Sequence, residues 1–443
     1  MSRRLPKLRP LTTFALLLVA VGILLPMAPD GPSAPGAAPT AAPTAGRLEP
    51  SPTPAPAGVA SAPAGAPSVP ESPTAAPPKQ GSTATTAPRA TAGATQSSPA
   101  PTREAGRSTQ RVVLGYYVPY DATSWASFHA RAAGLDYVAA QWVTVDACGG
   151  IGSRDDRTLI AYAAEQGVKV LPSLLTSSGW LNHRLLADPA TTDRFLNEIV
   201  SYVVEMGYPG FDLDLEGIDA GDRDAYSAFV ARLADALHQR GKILTLAIPA
   251  KTSDVRTGWA GPYDYAALGR HADLILLMTY DHSWASGPPG SIAPQEWVDR
   301  VAAYAVSQMP PGKVLLGLAF YGYDWNTTLG GRARSLIYSQ AVALARQHGA
   351  RIITDVATAS ATFSYTARPG DTVPPPPSLP TLRHDIAVRT PGPCPVQTPT
   401  QIPRPAPTPG PSPTPPPLQE HVVWLEDATS VAARLEVARR HGV

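Results

Sequence analysis

The sequence predicts an α/β fold, a (β/α)8 TIM barrel, and three observations carry that prediction. Between residues 111 and 443, short apolar, β-branched runs alternate with longer segments of helical period. The runs number seven, at 112–117, 135–143, 168–175, 211–216, 243–248, 274–280 and 314–320, and each is followed by a helix or connector. No G-x-G-x-x-G turn follows the first run, which counts against the competing open, doubly wound sheet.

Apolar residues recur at helical spacing over 191–206, 222–240, 294–308 and 335–348. After the seventh run, 351–367 reads as a small α+β insertion, order resumes at 421–427, and 428–442 reads as a helix. A closed barrel calls for one further strand after that helix, and the expectation is a barrel whose final strand is missing.

The flanks are built differently. The 51 prolines concentrate in 28–110 and 368–419. Residues 29–110 are Pro, Ala, Thr, Ser and Gly with almost no large apolar side chain, so they cannot offset the entropy of ordering, and a disordered linker is expected. The same composition predicts a disordered insert over 368–419 within a domain spanning 111–443. Upstream, Arg3, Arg4, Lys7 and Arg9 precede an apolar run at 14–25 ended by Pro26. That run falls short of the ~20 residues that span a bilayer, so 1–28 reads as a signal peptide, with retention as a membrane anchor the alternative. The expected location is extracellular or in the cell envelope.

Lys plus Arg (36) and Asp plus Glu (35) nearly cancel, so no basic footprint points to nucleic acid. The nine histidines never take H-E-x-x-H spacing, and no G-x-S-x-G elbow is present, so neither a metal centre nor a serine nucleophile is expected. No cofactor is called for, and the chain is expected to act as a monomer. Two cysteines, Cys148 and Cys394, exclude a disulfide framework but leave one bridge open in an oxidising compartment.

The chemistry-bearing segment is 211–216, where Phe211, Leu213 and Leu215 alternate with Asp212, Asp214 and Glu216. Period-two alternation places the three acids on one face, successive carboxylates ~6–7 Å apart along the strand. On a parallel barrel strand that face points inward, and Glu216 falls at the C-terminal end, where barrel sites sit. An edge strand with a solvated acidic face is the competing reading. Carboxylates crowded out of water cannot all ionise, so a glutamic acid among them can stay protonated and donate to a leaving oxygen.

Pro209-Gly210-Phe211-Asp212-Leu213-Asp214-Leu215-Glu216 resembles the D-G-x-D-x-D-x-E signature of family 18 glycoside hydrolases, with Pro209 in place of the first Asp. Gly115-Tyr116-Tyr117 is similar to the family's first strand, Val170-Leu171-Pro172-Ser173 to its third, Met278-Thr279-Tyr280-Asp281 to its sixth, and 317–325 to its seventh. The last of these, with 421–428, is most similar to the spore-germination, cortex-lytic branch.

The resemblance implies an exported hydrolase that cleaves β-1,4 bonds in N-acetylglucosamine-containing glycans, peptidoglycan or chitin, with the substrate's own N-acetyl group as nucleophile. It implies Glu216 as general acid and then base, Asp214 as the group orienting the acetamide, Tyr280 as its hydrogen-bond partner, and Asp212 as the carboxyl sharing a proton with Asp214. Tyr116 and Ser173 would support Asp212, while Met278, Asp281 and Trp284 would line the sugar site. Trp180 and Trp325, like Trp284, could stack on sugars, with a packing role the favoured reading of each. Leu175 and Thr176 depart from the glycines the family carries after the third-strand Ser. A catalytically inactive chitinase-like glycan-binding protein is the alternative function.

Overall fold

A computed structural model describes residues 111–376, 383–396 and 418–443. The expected leader, the linker 29–110 and the remaining parts of the proline-rich insert lie outside the described residues. In chain order the strands are β1 Leu114–Tyr117, β2 Tyr137–Val145, β3 Ile151–Asp156, β4 Lys169–Thr176, β5 Gly210–Leu215, β6 Ile243–Pro249, β7 Leu274–Met278, β8 Val314–Leu316, β9 Tyr321–Asn326, β10 Arg334–Ile337, β11 Ile353–Asp355, β12 Ser360–Ala367, β13 Ile386–Arg389 and β14 Gln419–Leu425. The helices are α1 Ala122–Arg131, α2 Arg157–Glu165, α3 Gly179–Ala187, α4 Pro189–Glu205, α5 Arg223–His238, α6 Tyr265–His271, α7 Gln295–Gln308, α8 Tyr338–Gln347 and α9 Ala428–His441.

Each of the seven apolar runs contributes a strand, and these form one parallel path, β1-β2-β4-β5-β6-β7-β8. Their outward residues meet the helix layer. On α5, Tyr226, Phe229, Val230, Leu233 and Leu237 recur at helical spacing and are all buried, and Phe229 stacks on Phe195 of α4 with centroids 5.1 Å apart. Helix starts are fixed locally: Asp156, Ser178 and Asp264 each accept from a backbone N–H of the first turn of α2, α3 and α6. Among the described residues no ladder joins β8 to β1.

The run at 314–320 is not one strand. Barrel strand β8 stops at Leu316, and Gly317 N–H donates to Leu277 O as the chain leaves the barrel. A Cβ at Gly317 would lie 2.7 Å from that carbonyl and 2.8 Å from the Tyr280 ring, so only glycine lets the backbone pass there. The chain then builds the expected α+β insertion, a five-stranded antiparallel sheet in the order β10-β9-β14-β12-β11, with α8 packed on it through Leu344 and Ala345. Helix α9 returns to pack against α7 through Val437, Val298 and Ala302.

One expectation needs correcting. The segment 383–396, read as part of a structureless insert, is ordered: β13 pairs antiparallel with β3, and Cys394 is bonded to Cys148, 246 residues away in sequence. That β3 itself escaped detection has a simple cause, because Ile-Gly-Ser-Arg-Asp-Asp has neither an apolar run nor clean alternation.

Candidate active site

Strand β5 lies between β4 and β6, with Asp212 in register with Ser173 on one side and Thr245 on the other. Both neighbours use their hydroxyls on it. Ser173 Oγ donates to Asp212 Oδ2 at 2.7 Å and Thr245 Oγ1 to Asp212 Oδ1 at 2.5 Å, while Tyr116 OH reaches Oδ1 at 3.4 Å. Asp212 is fully buried, and burial drives its carboxyl up to about 6 even though the three hydroxyls pull it down. Thr245 is a partner that sequence reasoning missed; its signal was the inward parity of β6 one strand over.

Asp214, two residues on, is 4% exposed and its Oδ1 has no hydrogen-bond partner among the described residues. Burial, then the like charges of Glu216 and Asp212, hold it well above the ordinary carboxyl range. Glu216 follows the strand end, half-buried, and is raised to about 7 by burial and then by Asp281. Asp214 and Glu216 therefore have very little proton-donating support, while the hydroxyls gather on Asp212 alone. Such a group holds protons at neutral pH.

The backbone under Glu216 is clamped. Glu216 N–H donates to Thr176 O at 2.7 Å, Asn182 Nδ2 of α3 donates to Glu216 O at 2.5 Å, and Tyr263 OH donates to Leu215 O at 2.7 Å. Asn182 and Tyr263 are fully buried and carry no motif, which is why the sequence did not disclose them.

Two strands along the sheet, β7 delivers Met278, half-buried, and the chain continues through Tyr280 to Asp281. The Tyr280 phenol stays protonated, held up by burial and then by the charges of Asp214 and Glu216. Asp281 takes a left-handed backbone, φ 56°, uncommon for a residue other than glycine and a mark of functional sites. Its Oδ1 accepts from Tyr321 and, at 3.0 Å, from Tyr323, both on β9. The insertion thus reaches back to orient a barrel-mouth carboxylate. Those tyrosines lie in the seventh-strand motif, where their period-two spacing was the available signal.

Asp212, Asp214, Glu216, Tyr116, Ser173, Tyr280 and Asp281 are therefore gathered at the C-terminal mouth of the barrel. Trp284 stands further out on the loop after β7, 47% exposed. Trp180, at the start of α3, is 40% exposed. Trp325 is not available for stacking, being 3% exposed with its Nε1 donating to Gly287 O at 3.0 Å.

Comparison with known proteins bears on the family and the fold. The family model described as "Glycosyl hydrolases family 18" matches residues 112–371, more than half of the chain. The chain belongs to glycosyl hydrolase family 18. Within this family it is similar to sporulation-linked glycosylases. It is 36% identical over 190 residues to a cortical fragment-lytic enzyme of Bacillus subtilis, covering 42% of this chain and 44% of that one. It is also 36% identical over 154 residues to a putative sporulation-specific glycosylase of the same organism, covering 34% and 36%. The chain spans about half the length, or less, of these curated relatives. In fold, a chitinase from Chromobacterium violaceum superposes with a TM-score of 0.60 at 24% identity over 75% of this chain and 92% of that one. The spore cortex-lytic enzyme SleL of Bacillus cereus gives 0.60 at 23% over 76% and 70%. These two likenesses concern the fold alone. Among the described residues, no helix is long and apolar enough to cross a membrane.

Proposed function

We propose that this family 18 chain is an exported glycoside hydrolase that cleaves β-1,4 bonds beside N-acetylglucosamine, with peptidoglycan its substrate class. The observation that carries the reading is the β5 row: three carboxyls at one barrel mouth, the outermost raised to about 7 and so able to donate a proton at neutral pH. Similarity to cortical fragment-lytic relatives favours peptidoglycan over chitin.

In this reading Glu216 gives its proton to the glycosidic oxygen as the C1–O bond breaks, and the leaving sugar departs as an alcohol. The acetamido oxygen of the retained sugar forms the new bond to C1, giving an oxazolinium ion. Asp214 accepts the acetamide N–H and offsets the positive charge, while the Tyr280 phenol donates to the acetamide oxygen and fixes its line of approach. Water then adds to C1, Glu216 takes its proton, and the ring opens. Asp212, restrained by Ser173, Thr245 and Tyr116, can lend or take a proton as Asp214 turns toward the substrate.

Export is supported by the charged and apolar leader and by the Cys148–Cys394 bond, which suits an oxidising compartment. The leader would be cleaved or kept as a tether to the envelope.

The test uses the full chain and its Glu216→Gln variant on peptidoglycan and on chito-oligosaccharides, reading new reducing ends. Release by the wild type alone is expected. Equal release by both proteins removes Glu216 as the acid, and binding without release by the wild type turns the reading to the inactive glycan-binding protein.

A further inference from the structure

Where the insertion meets the barrel's helices, an ion pair is buried that the chemistry above does not use. Glu426, between β14 and α9, and Arg434 of α9 are 3% and 2% exposed, with Arg434 Nη2 3.1 Å from Glu426 Oε2. Two buried serines complete the network. Ser360, the first residue of β12, donates to Glu426 Oε1 at 2.8 Å and accepts from Arg434 Nη2 at 2.7 Å. Its only hydroxyl hydrogen is thereby used, so Ser291, on the loop after β7, donates to it at 2.6 Å. Arg434 Nη1 donates further to Ala359 O at 3.2 Å, and Ala359 has a left-handed φ of 53°, a strained conformation that its surroundings must hold. Taking both charges out of water is costly, and an apolar pair of similar volume commonly serves a packed joint as well or better. The charged version supplies direction: one guanidinium fixes a carboxylate, a hydroxyl and a carbonyl together.

This network reaches Asp281 by two routes. Glu426 N–H donates to Tyr321 O at 3.4 Å, and the preceding Leu425 is in register with Gly322, so the pair lies at the start of β9. Tyr321 OH in turn donates to Asp281 Oδ1. Along the second route, Ser291 precedes Ile292, whose carbonyl accepts from His282 N–H at 2.9 Å and closes the loop that begins at Asp281. The carboxylate of Asp281 and its left-handed backbone are thus both tied to one buried cluster in the joint.

We infer that Glu426 and Arg434 are positioning residues, an ionic joint that locks the insertion to the barrel so that Tyr321 meets Asp281 and the 281–292 loop keeps its shape. The inference rests on the hydrolase reading above. Both residues act through Tyr321 and Ser291, at one remove from the reacting groups.

The test is a double-mutant cycle on the full chain with a soluble peptidoglycan fragment, each protein assayed at a temperature where its melting curve shows it fully folded. Glu426→Gln breaks the first link of the path and Tyr321→Phe the last. Each should lower kcat/KM about tenfold, and the double variant should be no slower than the slower single one, because both cut the same path. The alkaline limb of kcat/KM should move to lower pH in all three variants. Asp281 is faced by Tyr280, Tyr321, Tyr323 and Glu216, and its charge, held where it is, raises Glu216. Losses that multiply to about a hundredfold overturn the positioning role, as does a Glu426→Gln protein that melts earlier yet keeps the wild-type kcat/KM and pH limb. Should Glu426→Gln fail to fold, Arg434→Lys, which keeps the charge but not the threefold reach, takes its place in the cycle with the same outcomes. A wild type that cleaves no fragment overturns the hydrolase reading and the joint's role with it; an active wild type with multiplying losses overturns the joint alone.

Discussion

Two sets of buried carboxyls in this protein have opposite surroundings. At the barrel mouth, Asp212, Asp214 and Glu216 face one another with hydroxyls on Asp212 alone, and all three are pushed upward. In the insertion, Asp324 on β9 is as deeply buried, at 3%, but receives Arg334 at 2.5 Å, His421 at 2.8 Å and Tyr365 OH at 2.8 Å. Asp324 and the tyrosines that serve Asp281 alternate along one strand, so one face of β9 is held by paired charge and the other serves the site. Where cations and donors converge, the carboxylate is structural; where like charges are left together, protons are stored and can be moved.

The largest expected effect breaks the mouth. Glu216→Gln should lower kcat by about a thousandfold, the middle of the range for a lost general acid. The same change should stabilise the fold at high pH. Asp212 and Glu216 have folded values of about 6 and about 7, above their ordinary 3.8 and 4.5. Their contribution to stability is thus complete at acid pH, below the ordinary values, and is lost as pH rises through the folded ones. Melting curves should place the variant above wild type at pH 8, by about 2 °C or more, with the gap closing toward pH 4.

The insertion should behave in the reverse sense. Asp324→Ala leaves Arg334, His421 and Tyr365 without their common acceptor and should cost about 3 kcal/mol at neutral pH, read by denaturant unfolding. If it stabilised the protein instead, the contrast between the two regions would collapse. A smaller effect sharpens it: Thr245→Val removes one donor from Asp212, should drive that carboxyl above about 6, and should lower kcat/KM by about tenfold with little change in melting.

Most of the parallel strands were readable because they are buried on both faces, so their sequences are near-continuous apolar runs; β4 and β7 are examples. The acidic row on β5 was readable for the converse reason, since strict alternation inside such a sheet has few structural uses. What stayed hidden is non-local. Strand β13 is recognisable only through β3, more than two hundred residues earlier, and Cys394 sits in a composition that argues for disorder. Thr245, Asn182 and Tyr263 matter through single hydrogen bonds made by folding, none of which leaves a pattern in the chain.

The central claim is that burial, and then the nearby Asp281 charge, raises Glu216 to about 7 and lets it hold a proton near neutral pH. Its most direct test is the pH dependence of kcat/KM for the full chain on a soluble peptidoglycan fragment. The account expects activity to fall on the alkaline side with an apparent pKa near 7. Activity that already falls between pH 4 and 5, as for an ordinary glutamate, or that stays level to pH 9, would contradict it.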